Sequence, residues 1–315
     1  MTPKVFIDGE AGTTGLQIRQ RLAERRDLTV VSIDEARRKD RETRRELINS
    51  ADAVILCLPD EAARDAVTLV ESNSVAVIDA STAHRTASGW AYGFPEMAAG
   101  QRAAIASGRR ISNPGCYPTG FIALVRPLVA AGLIPPDWPL SVNAVSGYSG
   151  GGRSMIAEFE DEAAANHTKV PFRLYGLDLM HKHVPEMQAH AGLARRPVFA
   201  PSVGRYRQGM LVEVPLMLDV LPGAPSLADL QACLADAYAG ERFVEVASLE
   251  AARGLKTLDP EGLNGTNRMR LFVFGAEGAG QARLVALLDN LGKGASGAAV
   301  QNLNLALGLP EHAGL

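Results

Sequence analysis

Val5-Phe6-Ile7-Asp8-Gly9-Glu10-Ala11-Gly12-Thr13-Thr14-Gly15 stands near the head of the chain. Its first three residues form a short apolar run of the kind a buried strand shows. Glycines then fall at every third position, and Gly15, Ile18 and Leu22 line one face of a helix. Strand, glycine turn and helix are the parts of a dinucleotide-binding βα unit, in which the backbone approaches a pyrophosphate resting on the helix N-terminus. Gly9, Gly12, Thr13, Thr14 and Gly15 are the cofactor candidates in this turn. The spacing is G-x-x-G-x-x-G rather than G-x-G-x-x-G, so a turn that merely needs glycine is the competing reading.

The segments downstream extend the pattern. Leu28 to Ile33 reads as a second strand, Ala53 to Leu58 as a central parallel strand, and Val75 to Ile78 as a fourth. Pro59 stops the third strand, and Asp60 and Glu61 suit the positive start of the next helix. Strands alternating with helices imply an open parallel sheet with ligands beyond its carboxyl edge. That edge would carry the glycine turn, Leu58, Pro59, Ser81 and Arg85, with Arg85 facing an anionic group of the substrate. His84 reads as a surface histidine. An acid about 20 residues past a glycine turn binds the ribose 2′-hydroxyl of NAD, and Asp34 has that place. Arg37, Arg38 and Lys39 follow at once and would hold the 2′-phosphate of NADP or form a solvated helix start. Both readings stand.

Bulk properties narrow the class. A length of 315 residues suggests two domains. At 47% hydrophobic and 21% charged the composition is that of a soluble globular protein. A net charge of -3 gives no reason to expect nucleic acid or an anionic membrane as partner. The 3 cysteines lie far apart at 57, 116 and 233, with no metal-ligand spacing and no even count for a disulfide framework. A cytoplasmic setting fits, and no metal is expected. The start leads straight into a strand, leaving no room for a signal peptide, and no apolar run is long enough to span a membrane.

Ser112-Asn113-Pro114-Gly115-Cys116-Tyr117-Pro118-Thr119-Gly120 sets a cysteine after a Pro-Gly turn and before the apolar, helix-compatible run 121–125. A cysteine at a helix start meets unpartnered N–H groups and the positive end of the dipole, and both favour the reactive thiolate. Cys116 is therefore a candidate nucleophile, against the plain reading of a small apolar residue beneath a turn. Leu140 to Ser146 alternates like a strand covered on one face. It enters Gly147-Tyr148-Ser149-Gly150-Gly151-Gly152-Arg153, read as a flexible anion- or nicotinamide-contacting loop with Ser149 and Arg153 as polar contacts. In His181-Lys182-His183-Val184-Pro185-Glu186 the histidines point the same way if the backbone is extended, and Glu186 could orient one of them. Strands are expected over 211–218 and 268–274, and a last strand or buried segment over 284–290. Leu227, Leu230, Leu234 and Tyr238 mark an amphipathic helix with Cys233 beside its apolar face, and a last helix is expected over 297–307. Arg205 and Arg207 read as a solvated turn.

Taken together, these blocks resemble a known family. The sequence is similar to the shorter type of N-acetyl-gamma-glutamyl-phosphate reductase over nearly its whole length. The resemblance rests on Phe6 to Gly15, Cys57-Leu58-Pro59-Asp60, Asp79 to Arg85, Tyr92-Gly93-Phe94-Pro95-Glu96, the cysteine stretch, His181-Lys182-His183, and Lys293 to Asn302. It implies an α/β fold with an N-terminal Rossmann-type parallel sheet. It further implies a C-terminal α+β catalytic and dimerisation domain, and a C-terminal helix that returns to the first domain. The division expected is 1–115, joined by 293–315, for NADP binding, and 116–292 for catalysis and oligomerisation.

The resemblance also implies NADPH-dependent reduction of an acyl phosphate to an aldehyde, in arginine biosynthesis, by a homo-oligomer (dimer or tetramer). Cys116 would be the nucleophile and His183 its acid/base partner, with His181 a substrate contact or the alternative base. Arg85, Ser149, Arg153 and Glu186 complete the substrate candidates. Arg37, Leu58, Pro59, Ser81 and Asn302 join the glycine turn as cofactor candidates. The reacting sulfur would lie at the seam between the two domains. An aspartate- or aminoadipate-type semialdehyde dehydrogenase, or an NADP-binding regulator without turnover, are the alternatives.

Overall fold

The computed structural model describes residues 2–276 and 278–315. Among these residues the chain divides into two compact units, one built from 1–115 and 295–315, the other from 116–294.

The first unit opens with β1 (Lys4–Asp8), the glycine turn and α1 (Thr13–Leu22), followed by β2 (Thr29–Val31), α2 (Arg41–Ser50), β3 (Ala53–Leu56), α3 (Asp60–Thr68), β4 (Ala76–Asp79), β5 (Ala91–Tyr92), α4 (Gln101–Ser107) and β6 (Arg110–Ser112). The strands form one parallel sheet in the order β2-β1-β3-β4-β6-β5. The order reverses between β1 and β3, which puts the glycine turn at the switch point where open α/β sheets bind ligands. Side chains alternate along each strand, so both faces are buried. Val5, Ile7, Ile55 and Ile78 pack with Ile18 and Leu22 of α1, whereas Phe6, Val54 and Val77 pack with Ile48 of α2 and Ala63 and Ala66 of α3.

The turn after β1 needs its glycines. Gly9 has φ +89°, and a Cβ there would lie 2.4 Å from the Cys57 carbonyl oxygen. A Cβ on Gly15 would lie 2.6 Å from the Gly9 carbonyl oxygen. The spacing that departs from the usual motif thus still makes a tight strand–turn–helix.

The second unit runs through α5 (Cys116–Ala130), β7 (Ser141–Gly147), α6 (Gly152–Glu160), β8 (Phe172–Leu174), α7 (Val184–Ala191), β9 (Val198–Gly204), β10 (Met210–Met217), α8 (Leu227–Ala237), β11 (Val244–Val246), α9 (Leu249–Gly254), β12 (Met269–Phe274) and β13 (Gln281–Leu288). Its mixed sheet has the order β11-β12-β13-β10-β7-β9-β8. α5 is buried almost all round from Tyr117 to Val125, which marks a central helix. It lies close on the sheet at Gly120, where a Cβ would come within 2.9 Å of Val212 and 3.3 Å of Ala286.

The chain then re-enters the first unit through α10 (Gly297–Ala306). Ala299, Val300 and Leu303 join the core beneath α1. Two fully buried amides of this helix are matched: Gln301 donates to Glu96 at 2.8 Å, and Asn304 donates to the Glu311 and Ala313 carbonyls at 3.0 and 2.9 Å. Lys293 and Gly294 belong to the second unit rather than the first. Gly294 N–H donates to the Asp289 carbonyl at 2.9 Å, and the Lys293 ammonium lies 5.5 Å from the Phe243 ring centroid.

Candidate active site

Cys116 is the first residue of α5, so its side chain begins where the helix N–H groups lack intrahelical partners. It is half-buried and not disulfide-bonded. Behind it the loop after β13 closes in, for a Cβ on Gly294 would stand 2.7 Å from the Cys116 Cβ. That loop is held by Asp289, a fully buried carboxylate. Its oxygens accept from Gln208 Nε2 at 2.6 Å, from Gly265 N–H at 2.8 Å and from Leu291 N–H at 2.9 Å. A buried carboxylate matched by three donors is a stable anchor.

Beside the cysteine, Tyr117 gathers a ring cluster. His183, His181 and Phe199 have ring centroids 6.0, 6.2 and 5.1 Å from that of Tyr117. The two imidazoles are 4.7 Å apart. Tyr175 hydroxyl donates to Tyr117 hydroxyl at 2.9 Å, and Tyr117 hydroxyl donates to the Ser202 carbonyl at 3.3 Å. Burial pushes the Tyr117 phenol well up and that of Tyr175 far up, so both stay neutral donors.

The histidines meet by a different route from the extended one expected. His183 is the N-cap of α7 with helical φ and ψ, and its backbone N–H donates to His181 Nδ1 at 3.1 Å. His181 Nδ1 is therefore an acceptor, which leaves the ring proton of neutral His181 on Nε2. Burial first, and the Lys182 charge second, push His181 down to about 4. A neutral N–H donor suits substrate contact, while His183 sits nearly buried at the helix start. Glu186 lies buried in the first turn of the same helix.

The glycine-rich segment 147–153 is structured rather than a flexible loop. It forms a helical turn over Tyr148–Gly151 and then enters α6. The N–H groups of Gly147, Tyr148 and Ser149 donate to the carbonyls of Gly209, Tyr206 and Arg207 at 2.9, 3.0 and 3.0 Å. Those amides cannot also cradle an anion. Ser149 is buried, and its hydroxyl oxygen accepts from Asn290 Nδ2 at 3.0 Å. Arg153 is exposed on α6.

In the first unit, the carboxyl edge carries the remaining candidates. Leu58 and Pro59 follow the end of β3, and a Cβ on Gly9 would touch Leu58 at 3.1 Å. α1 begins at Gly12 with no side-chain cap and no acid in its first turn, and Thr13 Oγ1 is buried with no hydrogen-bond partner. Thr14 is half-buried beside it. Asn302 Nδ2 donates to the Gly93 carbonyl at 2.9 Å and to Asn113 Oδ1 at 3.0 Å, whereas its own Oδ1 is buried without a partner. An uncapped helix start, an unmatched hydroxyl and an unmatched amide oxygen fit a dinucleotide, which brings a pyrophosphate and hydrogen-bond donors. Asp34 carboxylate accepts from Ala36 N–H at 2.9 Å, capping a short helical turn. Arg37 is exposed, 3.6 Å from Asp40.

His84 is not on the surface. Its Nδ1 lies 2.6 Å from the fully buried Asp79 carboxylate, and its ring stacks on Trp90 at 4.1 Å. Ser81 hydroxyl donates to the same carboxylate at 2.8 Å, and its N–H at 2.9 Å. Arg85 is buried and donates to the Ala80 carbonyl at 3.2 Å. The buried Asp79 carboxylate draws the histidine inward, since a buried charge needs a hydrogen-bonded partner.

Sequence reasoning passed over Tyr175, Phe199, Asn113 and the Asp289 anchor. Asn113 and Asp289 lay inside quoted stretches, and a polar residue at the end of an apolar strand is the clue each offered. Among the described residues, no cluster of three or more histidines, cysteines and carboxylates could hold a metal, and no helix is long and apolar enough to cross a membrane.

Comparison with known proteins agrees with this architecture. Residues 4–106 match the semialdehyde dehydrogenase NAD binding domain, and residues 116–290 match the semialdehyde dehydrogenase dimerisation domain. The chain is 61% identical to an N-acetyl-gamma-glutamyl-phosphate reductase of Brucella anthropi, covering 98% of this chain and 99% of that one. It is 60% identical to the protein of the same name from Brucella ovis, covering 98% and 100%. Its fold resembles aspartate semialdehyde dehydrogenase II of Vibrio cholerae, with TM-score 0.73, 15% identity and 98% of each chain covered. It also resembles the NADP-bound aspartate semialdehyde dehydrogenase of Candida albicans, with TM-score 0.66, 14% identity, and 97% and 98% covered. With a parallel nucleotide-binding sheet, a mixed second sheet and full-length identity of this order, the chain belongs to the N-acetyl-gamma-glutamyl-phosphate reductase family of semialdehyde dehydrogenases.

Proposed function

We propose that the chain reduces N-acetyl-gamma-glutamyl phosphate to N-acetyl-glutamate 5-semialdehyde with release of phosphate, using NADPH, in arginine biosynthesis. The observation that carries the chemistry is Cys116 opening α5 beside a cluster holding both His181 and His183. The substrate comes from the names of the full-length relatives.

The steps assign roles to this chain's own groups. His183 takes the Cys116 proton as a general base. Cys116 Sγ bonds to the acyl carbon while the carbon–oxygen bond to phosphate breaks and its electron pair leaves with phosphate. Covalent catalysis splits one hard displacement into two easier ones. A thioester now joins substrate to Cys116. NADPH, when held by the glycine turn and Asn302, would supply the hydride that reduces this carbonyl carbon to the aldehyde level. Backbone N–H groups at the start of α5 stabilise the oxyanion, and His181 offers its Nε2 proton to substrate. The carbon–sulfur bond then breaks, the thiolate leaves, and His183 returns its proton to the sulfur. Arg85, Ser149, Arg153 and Glu186 are assigned to substrate binding. Gly9, Gly12, Thr13, Thr14, Gly15, Leu58, Pro59, Ser81 and Asn302 are assigned to the cofactor.

Preference for NADP over NAD rests on the end of β2. Asp34 has committed its carboxylate to Ala36 N–H, while Arg37 is exposed and only loosely paired to Asp40. A 2′-phosphate would meet guanidinium there rather than carboxylate. The same reading takes the enzyme as a cytoplasmic homo-oligomer, in keeping with three cysteines outside disulfides and with the dimerisation-domain match.

The test is NADP⁺ reduction, read at the nicotinamide absorbance, with N-acetylglutamate semialdehyde and inorganic phosphate. The expected result is turnover that needs both phosphate and Cys116. Absorbance that stays flat with this aldehyde but rises with aspartate semialdehyde moves the substrate assignment. Full activity in Cys116→Ser removes the mechanism, and cofactor binding without any turnover makes the chain a sensor rather than an enzyme.

A further inference from the structure

Behind the nucleophile, Gly292–Ser296 winds as a π-helical turn, a form that is rare and recurs mostly at functional sites. The bond that opens it runs from Gly294 N–H to the Asp289 carbonyl at 2.9 Å, the i→i+5 step of a π helix. Two of its glycines are required by space, since neither has positive φ. A Cβ on Gly292 would lie 2.0 Å from the Thr266 carbonyl oxygen. One on Gly294 would lie 2.7 Å from Cys116 Cβ and 3.2 Å from its Cα. The turn is gripped between Thr266 and the first residue of α5.

The Asp289 side chain sets this turn. Its Oδ1 accepts from Leu291 N–H, two residues on, as an aspartate that opens a turn does. Its Oδ2 accepts from Gln208 Nε2 and from Gly265 N–H. Asn290, buried beside it, accepts from Gly209 N–H at 2.8 Å and donates to the Ser149 hydroxyl at 3.0 Å. One buried dipeptide thus ties the 147–153 turn, the β9–β10 connection and the segment at Gly265 to the turn behind Cys116. Burying a carboxylate is costly, and a full set of donors is what makes it tolerable here.

We propose that Asp289 and Gly294 are positioning residues for the nucleophile: the Asp289 carboxylate locks the π-helical turn to its neighbours, and the turn presents a bare Cα at Gly294 that fixes where Cys116 stands. The proposal rests on the reductase reading and deepens it by naming what holds the sulfur in place. Carbon atoms in contact sit about 3.5–4.0 Å apart. A methyl group on Gly294 would displace Cys116 by roughly 1 Å, and a misplacement of that size costs about 10²-fold in turnover. In Asp289→Asn the side chain keeps its size, but one acceptor oxygen becomes an NH2 donor. Either Leu291 N–H or the pair from Gln208 and Gly265 then loses its acceptor, and the turn comes loose on that side.

The test has two readouts. One is kcat and KM for NADP⁺ reduction with N-acetylglutamate semialdehyde and phosphate. The other is the rate at which iodoacetamide alkylates Cys116, followed by mass spectrometry of its peptide. Gly294→Ala is expected to lower kcat by about 10²-fold with KM little changed, and Asp289→Asn to act in the same direction. Alkylation is expected to slow about fivefold in Gly294→Ala, because a displaced sulfur leaves the helix start that favours its thiolate. A merely loosened fold would do the opposite, exposing the thiol and speeding alkylation. Tyr238→Phe, which removes a hydrogen bond further along α5, is the control for instability, and urea unfolding ranks the variants. It is expected to keep the wild-type kcat and alkylation rate. Where Gly294→Ala does not fold, Asp289→Asn decides alone. Variants that match wild type in both readouts, alkylation that speeds up, a loss carried by KM, or a control that loses as much overturn the proposal. A wild type without turnover removes the reductase reading, and the alkylation rates, which need no substrate, still decide this one.

Discussion

His181 shows how one hydrogen bond sets a role. Its Nδ1 accepts the His183 N–H, so a proton added there would break that contact in a buried place. Burial first, and the Lys182 charge second, hold this imidazole down to about 4 in the folded protein, against an ordinary value of 6.5. Between those two pH values the unfolded chain binds a proton at His181 and the folded chain does not. Unfolding free energy then rises with pH across this window. The contribution is complete above 6.5 and is lost as pH falls to about 4. Urea unfolding of wild type and His181→Gln at several pH values from 4 to 7 checks it. The variant curve is expected to be the flatter through this window; equal slopes would mean that His181 is not held neutral.

At the scale of elements, α5 carries an internal fault and its repair. Pro127 has no N–H, so the Ala123 carbonyl one turn earlier loses its helical partner. Tyr238, at the end of α8, donates its hydroxyl to that carbonyl at 2.9 Å. Removing the hydroxyl leaves a buried acceptor unmatched, which costs about 1–3 kcal/mol. Tyr238→Phe is therefore expected to destabilise the second unit by that amount in denaturant unfolding. In a Pro127→Ala background the restored N–H can serve Ala123, and the same change should cost less. A double-mutant cycle that is purely additive would remove the link between the two residues.

The same elements explain what the sequence could reveal. Strand, glycine turn and helix at the N-terminus, and the cysteine at a helix start, are decided by residues within ten positions of one another. The period-2 and period-3.6 patterns placed β7, β10, β12 and β13, and α8 and α10, within a few residues of their observed bounds. β6 and β11 have three residues each, too few to show a period. β9 was masked by Pro201, which sits in a strand that pairs on both sides. The two histidines would point the same way only on an extended backbone, and the structure instead starts α7 one residue later, where Pro185 and Glu186 in the first turn are the local signal of a helix start. His84 was read as exposed because its fate depends on Asp79, whose burial belongs to the sheet. For His84 what failed was a contact set by tertiary packing, whereas β6, β11 and β9 were hidden by local features, short length and a proline.

For the whole molecule, the first unit is discontinuous, and its last piece is not optional. Ala299, Val300 and Leu303 are fully buried against the strands and α1. Burying side chains of the valine and leucine kind stabilises by about 1.5–3 kcal/mol each. Gln301, Asn302 and Asn304 add matched hydrogen bonds to Glu96, Gly93, Asn113 and the tail beyond Leu309. Deleting 295–315 removes all of these and exposes their partners. The sum approaches the 5–15 kcal/mol that holds a typical domain together. The truncated chain is therefore expected to lose the nucleotide-binding fold rather than merely soften it. Limited proteolysis read by mass spectrometry would show new cleavage throughout 4–112, and nicotinamide fluorescence would show no NADPH bound. A truncated protein that resists cleavage there and still binds cofactor would mean that the parallel sheet closes its core without α10.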